Sequence, residues 1–194
     1  MIAVIEIDAR GLSCPEPVIL AKQEIVKKHP FRILVNGSGQ AENIKRVALR
    51  AGVSAEITQG SQFDTVEISC SEEASPEKKS KLVNLAISVP GDSFGHGGDS
   101  ELEDVLCRAY FHTLTELDEM PSTIIFYDRG VLLTIDSSPV LEDLKTLQER
   151  GVNLLVCGTC LKHFDVMKRL SAGKISNMFE IATELGRAER HYSI

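Results

Sequence analysis

The chain has 194 residues, of which 43% are hydrophobic and 25% charged, with a formal net charge of -7. These values suit one large or two small folded domains and exclude a nucleic-acid binder that works through a broad basic surface. No apolar run is long enough to span a bilayer, and the charged start Met1–Asp8 lacks the basic segment of a secretory signal, so no membrane partner and a cytoplasmic location are expected.

In chain order, Val4–Asp8 alternates apolar and charged residues, as a half-buried strand does. Pro15 to Lys28 carries Val18, Ile19, Ala21, Ile25 and Val26 on helical spacing. Ser13 or Cys14 is expected at its N-cap and Pro15 at its first helical position. Phe31–Val35 reads as a strand and Asn36–Gly39 as a turn. Gln40–Ala51 reads as a helix closed by Gly52. Val53–Gln59 and Thr65–Ser69 read as strands joined at Gly60. The order β-α-β-α-β-β makes a two-layer sandwich and defines a first domain over residues 1–71.

Residues 72–81 are polar and aperiodic and are expected to be a linker. Residues 82–194 form a second domain. Leu82–Val89 is an apolar strand, and Pro90–Asp99 is a Gly-rich loop expected to be flexible above a nearby thiol site. Ser100–Leu117 reads as a helix with Leu102, Val105, Leu106, Ala109, Tyr110, Thr113, Leu114 and Leu117 inward. Thr123–Tyr127 is a buried strand, and Gly130–Thr134 is a short strand candidate. Pro139–Arg150 is a helix, and Val152–Val156 is another buried strand. A short helix from about Thr159 to Leu170, a strand beginning at Ile175 and helical character over Phe179–Arg190 complete the chain. The alternation implies a C-terminal, mostly parallel α/β sheet with helices on both faces.

Five cysteines are present: Cys14, Cys70, Cys107, Cys157 and Cys160. An odd number under reducing conditions points to reactive, metal-binding or buried thiols rather than to a disulfide framework. Cys14 lies in Gly11-Leu12-Ser13-Cys14-Pro15-Glu16-Pro17, between a strand and a helix. Unpaired backbone N–H groups and the positive helix end favour the nucleophilic thiolate at such a position. Pro15 and Pro17 stiffen the turn and hold the sulfur outward. Glu16 suits the helix dipole but opposes a neighbouring thiolate. Cys157-Gly158-Thr159-Cys160 follows a buried strand at its carboxyl end, where open α/β sheets place their reaction sites. There Cys157 is expected to be the more exposed thiol and the better thiolate.

Three readings of this second pair stand side by side. Zinc needs about four ligands, usually two such pairs, and only His163 is near. A strand-end core cysteine is the structural alternative. A reactive thiol, as a dithiol switch or a persulfide carrier, is the third. Thioredoxin chemistry is unattractive, because no Trp precedes the motif and no Pro lies inside it. Cys70 and Cys107 read as structural, and His96 as a solvated loop residue or a thiol partner. Lys162, His163 and Lys168 read as a solvated face or as cations near the thiol. The loop Gly91–Asp99 lacks the P-loop lysine and the dinucleotide spacing. No cofactor or metal is expected.

The segment Asp8-Ala9-Arg10-Gly11-Leu12-Ser13-Cys14-Pro15-Glu16-Pro17-Val18 resembles the Cys-Pro-x-Pro signature of TusA/SirA-like sulfur carriers. The resemblance implies that Cys14 accepts a sulfane sulfur as a persulfide and passes it on. It further implies that Asp8, Arg10 and Glu16 assist docking of a donor, such as a cysteine desulfurase, or of an acceptor. The second domain resembles the DsrE/DsrF-like family, through the aliphatic strand ending in Cys157, Gly95–Asp99 and Ser176–Ile181. That likeness implies Cys157 as acceptor, with Cys160 a departure that keeps dithiol chemistry open, and it implies homo-oligomers through this domain. A fusion of the two is similar to selenium metabolism proteins of the YedF type. The expected function is thus a sulfurtransferase-like carrier of sulfur or selenium. The alternatives are a cytosolic redox-sensing binding protein using Cys157 and Cys160, and a regulator that tolerates loss of Cys14.

Overall fold

The structure is a computed structural model that describes residues 4–69, 81–95 and 98–194. The expected linker, Cys70 and His96 lie outside the described residues, apart from Lys81, which opens a strand. The chain divides into two compact units, Met1–Glu77 and Lys78–Ile194.

The first unit runs β1 (Ile5–Asp8), α1 (Glu16–Val26), β2 (Phe31–Val35), α2 (Ser38–Arg50), β3 (Ser54–Thr58) and β4 (Asp64–Ser69). This is the β-α-β-α-β-β order read from the sequence. The sheet order is β1-β2-β4-β3. β1 pairs with β2 in parallel, while β4 pairs antiparallel with both β2 and β3. Parallel pairing of β1 with β2 needs a crossover, which α1 supplies. Ala21 and Ile25 of α1 and Ala41, Ile44 and Ala48 of α2 close over Phe31, Ile33, Val35, Val66 and Ile68 to form a buried core. Small alanines at the helix contacts let the helices approach each other and the sheet closely.

The second unit runs β5 (Lys81–Val89), α3 (Ser100–Thr115), β6 (Glu119–Phe126), α4 (Leu141–Glu149), β7 (Asn153–Cys157), α5 (Gly158–His163), β8 (Lys174–Ser176), α6 (Met178–Arg187) and β9 (Arg190–Ser193). Its sheet has the order β8-β7-β6-β5-β9 and is parallel at every pairing. Advancing from β5 to β8 and then returning to β9 sends right-handed crossovers to opposite faces. α3 accordingly packs with α4, and α6 packs against β7. The core between these layers is aliphatic, with Phe111 and Phe126 stacked at 6.1 Å between ring centroids.

Several elements differ from expectation. The strand candidate at Gly130–Thr134 is a 3-10 helix over Asp128–Thr134. The helix expected to about Leu170 stops at His163, and a separate 3-10 turn follows at Met167–Arg169. Asp165 lies between them with a left-handed backbone (φ 54), which a continuous helix excludes. β6 begins before Pro121. The β5–β6 register shifts between Val83, the partner of Pro121, and Ala86, and an irregularity of this kind is where a strand admits proline. β9 is an added edge strand with four exposed residues, Arg190–Ser193, so it carries no apolar alternation to find. α3 buries Cys107, Phe111 and Leu114 and leaves Leu102, Val105 and Leu106 exposed, and Leu117 is exposed just beyond its end. Its expected inward face is therefore turned by about a third of the helix circumference.

Candidate functional site

Cys14 is exposed and free. The helix behind it starts later than expected: Pro15 is the N-cap residue, Glu16 the first helical residue, and Pro17 is buried in the first turn. The Cys14–Pro15 peptide is cis. The Glu16 N–H donates to Ser13 O at 3.0 Å, and the Val18 and Ile19 N–H groups donate to Pro15 O at 3.0 and 3.1 Å. Pro15 and Pro17 have no N–H. The first-turn donors expected to face the thiol are thus either occupied or missing, which corrects that part of the sequence reading. What the turn provides is an accessible sulfur on a fixed backbone.

The fixation comes from the β2–α2 junction. Asn36 Oδ1 accepts the Gly11 N–H. Gln40 Nε2 donates to Leu12 O at 2.9 Å, and Gln40 Oε1 accepts the Asn36 N–H at 3.1 Å. Gly11 has φ +82, a left-handed conformation open to glycine. The segment that leads into the Cys14 turn is therefore tied at Gly11 and Leu12 to residues 25 or more positions away. Sequence reasoning missed Asn36 and Gln40, reading the first only as a turn former. Replacing Gln40 with Ala removes two of these bonds and is expected to cost roughly 1 kcal/mol of stability. It should also slow sulfur uptake at Cys14 several-fold, as checked by denaturant melts and by timed mass spectrometry.

Arg10 points away from a docking role of its own. Its Nε and Nη2 clamp the two Asp8 carboxylate oxygens at 2.8 and 2.6 Å, and its guanidinium lies over the Phe63 ring at 5.1 Å. The guanidinium beside Asp8, through hydrogen bonding first, lowers that carboxyl to about 2. A depressed carboxyl contributes stability that is present above its ordinary value and lost as pH falls through its folded value. The pair should therefore hold from neutrality down to strongly acidic solution. A carboxyl NMR titration should give an Asp8 midpoint of about 2, and Arg10→Ala should return it toward 3.8.

In the second unit, the loops that leave β5, β6 and β7 meet at the carboxyl edge of the sheet. Cys157 ends β7 and is only 2% exposed, inside the main core cluster. Cys160, on the first turn of α5, is the more accessible of the two. This reverses the expected order of exposure. The pattern Leu154-Leu155-Val156-Cys157 continues the buried run of β7, and helix α5 turns the next thiol outward. The Asp128 N–H donates to Cys160 Sγ at 3.1 Å. Burial pushes the Cys160 thiol up; the neighbouring Cys157 thiol acts in the same direction and the Asp128 N–H against it.

Asp128 holds a left-handed backbone (φ 49), uncommon away from glycine. Next to it, Arg129 clamps Asp92 of the β5 loop with bonds of 2.9 and 2.6 Å. The Gly130 N–H donates to Pro90 O and to Tyr127 O, each at 3.0 Å. The sequence carried no local signal for Asp128 or for the Asp92–Arg129 clamp, because both act across strands.

The Gly-rich loop is held onto α3. The Glu103 carboxylate accepts from the Gly98 N–H at 3.1 Å and from Ser93 Oγ at 3.3 Å, and Phe94 stacks on Tyr110. A carboxylate occupying the loop donor disfavours an anion there, and these bonds correct the expectation of a flexible loop in its described part. Lys162, His163 and Lys168 are exposed, and His163 packs edge-on against Phe164. Cys107 is 4% exposed, and burial raises its thiol to about 11. Among the described residues, no cluster of His, Cys, Asp and Glu could hold a metal ion, and no helix is long and apolar enough to cross a membrane.

Comparison with known proteins places this geometry in context. Residues 5–69 match the family model for sulfurtransferase TusA. A SirA-like protein from Desulfitobacterium hafniense is 28% identical, covering 34% of this chain and 95% of its own, with a TM-score of 0.32. The ychN protein from E. coli is 14% identical over 59% of this chain and 99% of its own, with a TM-score of 0.38. A protein of unknown function from Methanobacterium thermoautotrophicum is 16% identical over the same share of this chain, with a TM-score of 0.43. No curated protein matches the chain. Residues 5–69 of the first unit thus form a TusA/SirA-like domain.

Proposed function

We propose that the chain is a sulfur-transfer protein that carries sulfane sulfur as a persulfide on Cys14 and relays it through further reactive cysteines. The observation that supports this most is the exposed Cys14 on a pinned turn within the TusA-matching segment. The Cys14 thiolate attacks the outer sulfur of a donor persulfide. The donor S–S bond breaks, the donor leaves as a thiolate, and the new S–S bond is to Cys14. A cysteine-desulfurase-like enzyme supplies such a donor. A perselenide donor reacts by the same displacement, which extends the proposal to selenium.

The domain limits 1–71 and 82–194, with a linker over 72–81, belong to this reading, as do the DsrE-like character of the second unit, its Cys157–Cys160 pair as a second thiol station and a cytoplasmic location. So does self-association of the second unit through the exposed Leu102, Val105 and Leu106 of α3, since contiguous apolar surface of this kind marks interaction sites. Incubation with a cysteine desulfurase and cysteine, followed by peptide mass spectrometry, tests the core claim. Sulfur on Cys14 is the expected result, and an unmodified Cys14 overturns it.

A second reading has one observation in its favour. The placement of Cys157 at the end of β7 and of Cys160 in the first turn of α5 suits a dithiol switch that regulates a partner without transferring sulfur. Reversible disulfide formation at a potential near the cytosolic poise, with no sulfur on Cys14, is the outcome that selects it.

A further inference from the structure

The geometry points to a division of labour within the second thiol pair: Cys160 receives sulfur, and Cys157 expels it as hydrosulfide. This rests on the sulfur-transfer reading above and assigns the chemistry of its second station.

Access decides which thiol reacts first. Sulfur transfer from a donor requires in-line approach of the attacking sulfur to the outer sulfur of the donor persulfide. Cys157 is 2% exposed, at the end of β7 and within the core, so a donor cannot line up with it. Cys160 is partly exposed one helical turn later. Its sulfur also accepts the Asp128 N–H at 3.1 Å. That donor is fixed on a backbone anchored through Arg129 to Asp92, and it favours the thiolate form of Cys160 from which attack starts. Cys157 has no route to solvent comparable to that of Cys160, but it ends β7 where α5, which carries Cys160 on its first turn, begins.

The chemistry then follows in balanced steps. The Cys160 thiolate attacks the outer sulfur of the donor persulfide; the donor leaves as a thiolate and Cys160 holds the persulfide. Cys157 has two sulfurs it can attack. Attack on the outer sulfur would move the sulfur to Cys157 and expel the Cys160 alkyl thiolate. Attack on the inner sulfur forms the Cys157–Cys160 disulfide and expels hydrosulfide, the anion of a stronger acid than an alkyl thiol. The better leaving group departs faster. The proton lost by Cys157 leaves with the sulfide. Sulfane sulfur is reduced to sulfide while two thiols are oxidised to one disulfide, and a dithiol reductant of the thioredoxin class restores the pair by exchange. The second unit thus delivers sulfide, whereas the first holds sulfane sulfur.

The test uses the full chain in a Cys14→Ser background, with glutathione persulfide as donor, alkylation quenching, intact and peptide mass spectrometry, and sulfide measured above the donor-alone blank. The parent should release about one equivalent of sulfide per chain in a single pass and lose the mass of two hydrogens as the disulfide forms. Cys157→Ser should retain the mass of one sulfur atom on Cys160 and release sulfide roughly tenfold more slowly or less. Cys160→Ser should neither take up sulfur nor release sulfide. Sulfur trapped on Cys157 in Cys160→Ser, or unchanged sulfide release by Cys157→Ser, overturns the assignment. Cys160→Ala, with circular dichroism on every variant, separates chemistry from misfolding. Donor treatment of the chain with Cys14 intact separates the two claims. Sulfur on Cys14 with an inert pair defeats this assignment alone, whereas an unlabelled Cys14 defeats the carrier reading.

Discussion

Cys14→Ser is expected to abolish sulfur loading of the first unit, a fall of roughly 100-fold or more, without a measurable change in stability. The side chain is exposed, so its replacement removes little buried surface, and exposed substitutions of this kind stay within about 0.5 kcal/mol. Serine keeps the size and the polar character. It removes the one property the reaction uses, a thiol that is nucleophilic toward sulfur. The local backbone should survive, because the turn is held by Asn36, Gln40 and the Ser13 and Pro15 carbonyls rather than by the thiol. The measurement pairs a thermal melt with intact and peptide mass spectrometry after desulfurase treatment. Equal melts with sulfur absent from the first unit are expected. Undiminished sulfur on residues 4–69 of the variant would remove Cys14 from its role.

The contrast between Cys14 and its neighbours explains what could be read from the sequence. A strand, a turn with two prolines and an amphipathic segment are local patterns, and the β-α-β-α-β-β order follows from them. Cap position was less legible. Pro15 can occupy the N-cap or the first helical position, and the Ser13 carbonyl settles it by taking the Glu16 N–H. The consequence is chemical, since occupied donors leave Cys14 with exposure as its main asset. Arg10 shows the same limit. The family resemblance implied a docking role for it, whereas its charge is spent on Asp8 and its flat face on Phe63.

In the second unit, period alone misassigned exposure. α3 presents two apolar stripes, one with Cys107, Phe111 and Leu114 and the other with Leu102, Val105 and Leu106. A hydrophobic count cannot say which stripe faces the sheet, because both have helical spacing. The same ambiguity reversed Cys157 and Cys160. The order of exposed and buried thiol in a C-x-x-C depends on where the strand ends and the helix begins. Here β7 extends through Cys157 itself, so the pleat buries the first thiol, and α5 starts at Gly158. Ile175, Met178 and Phe179, close to this edge of the sheet, are exposed although apolar, a placement that composition alone would have put inside.

The second large effect is expected at Gly130. A Cβ built there would lie 1.9 Å from Val89 O and 2.8 Å from Val89 C. Both are backbone atoms at the end of β5, so no side-chain rotation relieves the clash, and the strands or their loops must separate. Gly130→Ala should destabilise the second unit by about 3 kcal/mol and lower its melting temperature by about 10 °C. Gly186→Ala in α6 is the matched control. Its Cβ meets nothing within 4 Å, and alanine in a helix gains up to about 1 kcal/mol over glycine. The site should register the difference as well as the fold. Gly130 follows Asp128 and Arg129, and its N–H donates to Pro90 O and Tyr127 O. Moving it displaces the Asp128 N–H from Cys160 and strains the Asp92–Arg129 clamp. Alkylation of Cys160 at a temperature where both variants are folded should therefore change in Gly130→Ala and not in Gly186→Ala. A Gly130→Ala melt matching the wild-type chain would mean that the β5 end yields freely, and the loop lacing described at this edge would then not be what fixes the thiol pair.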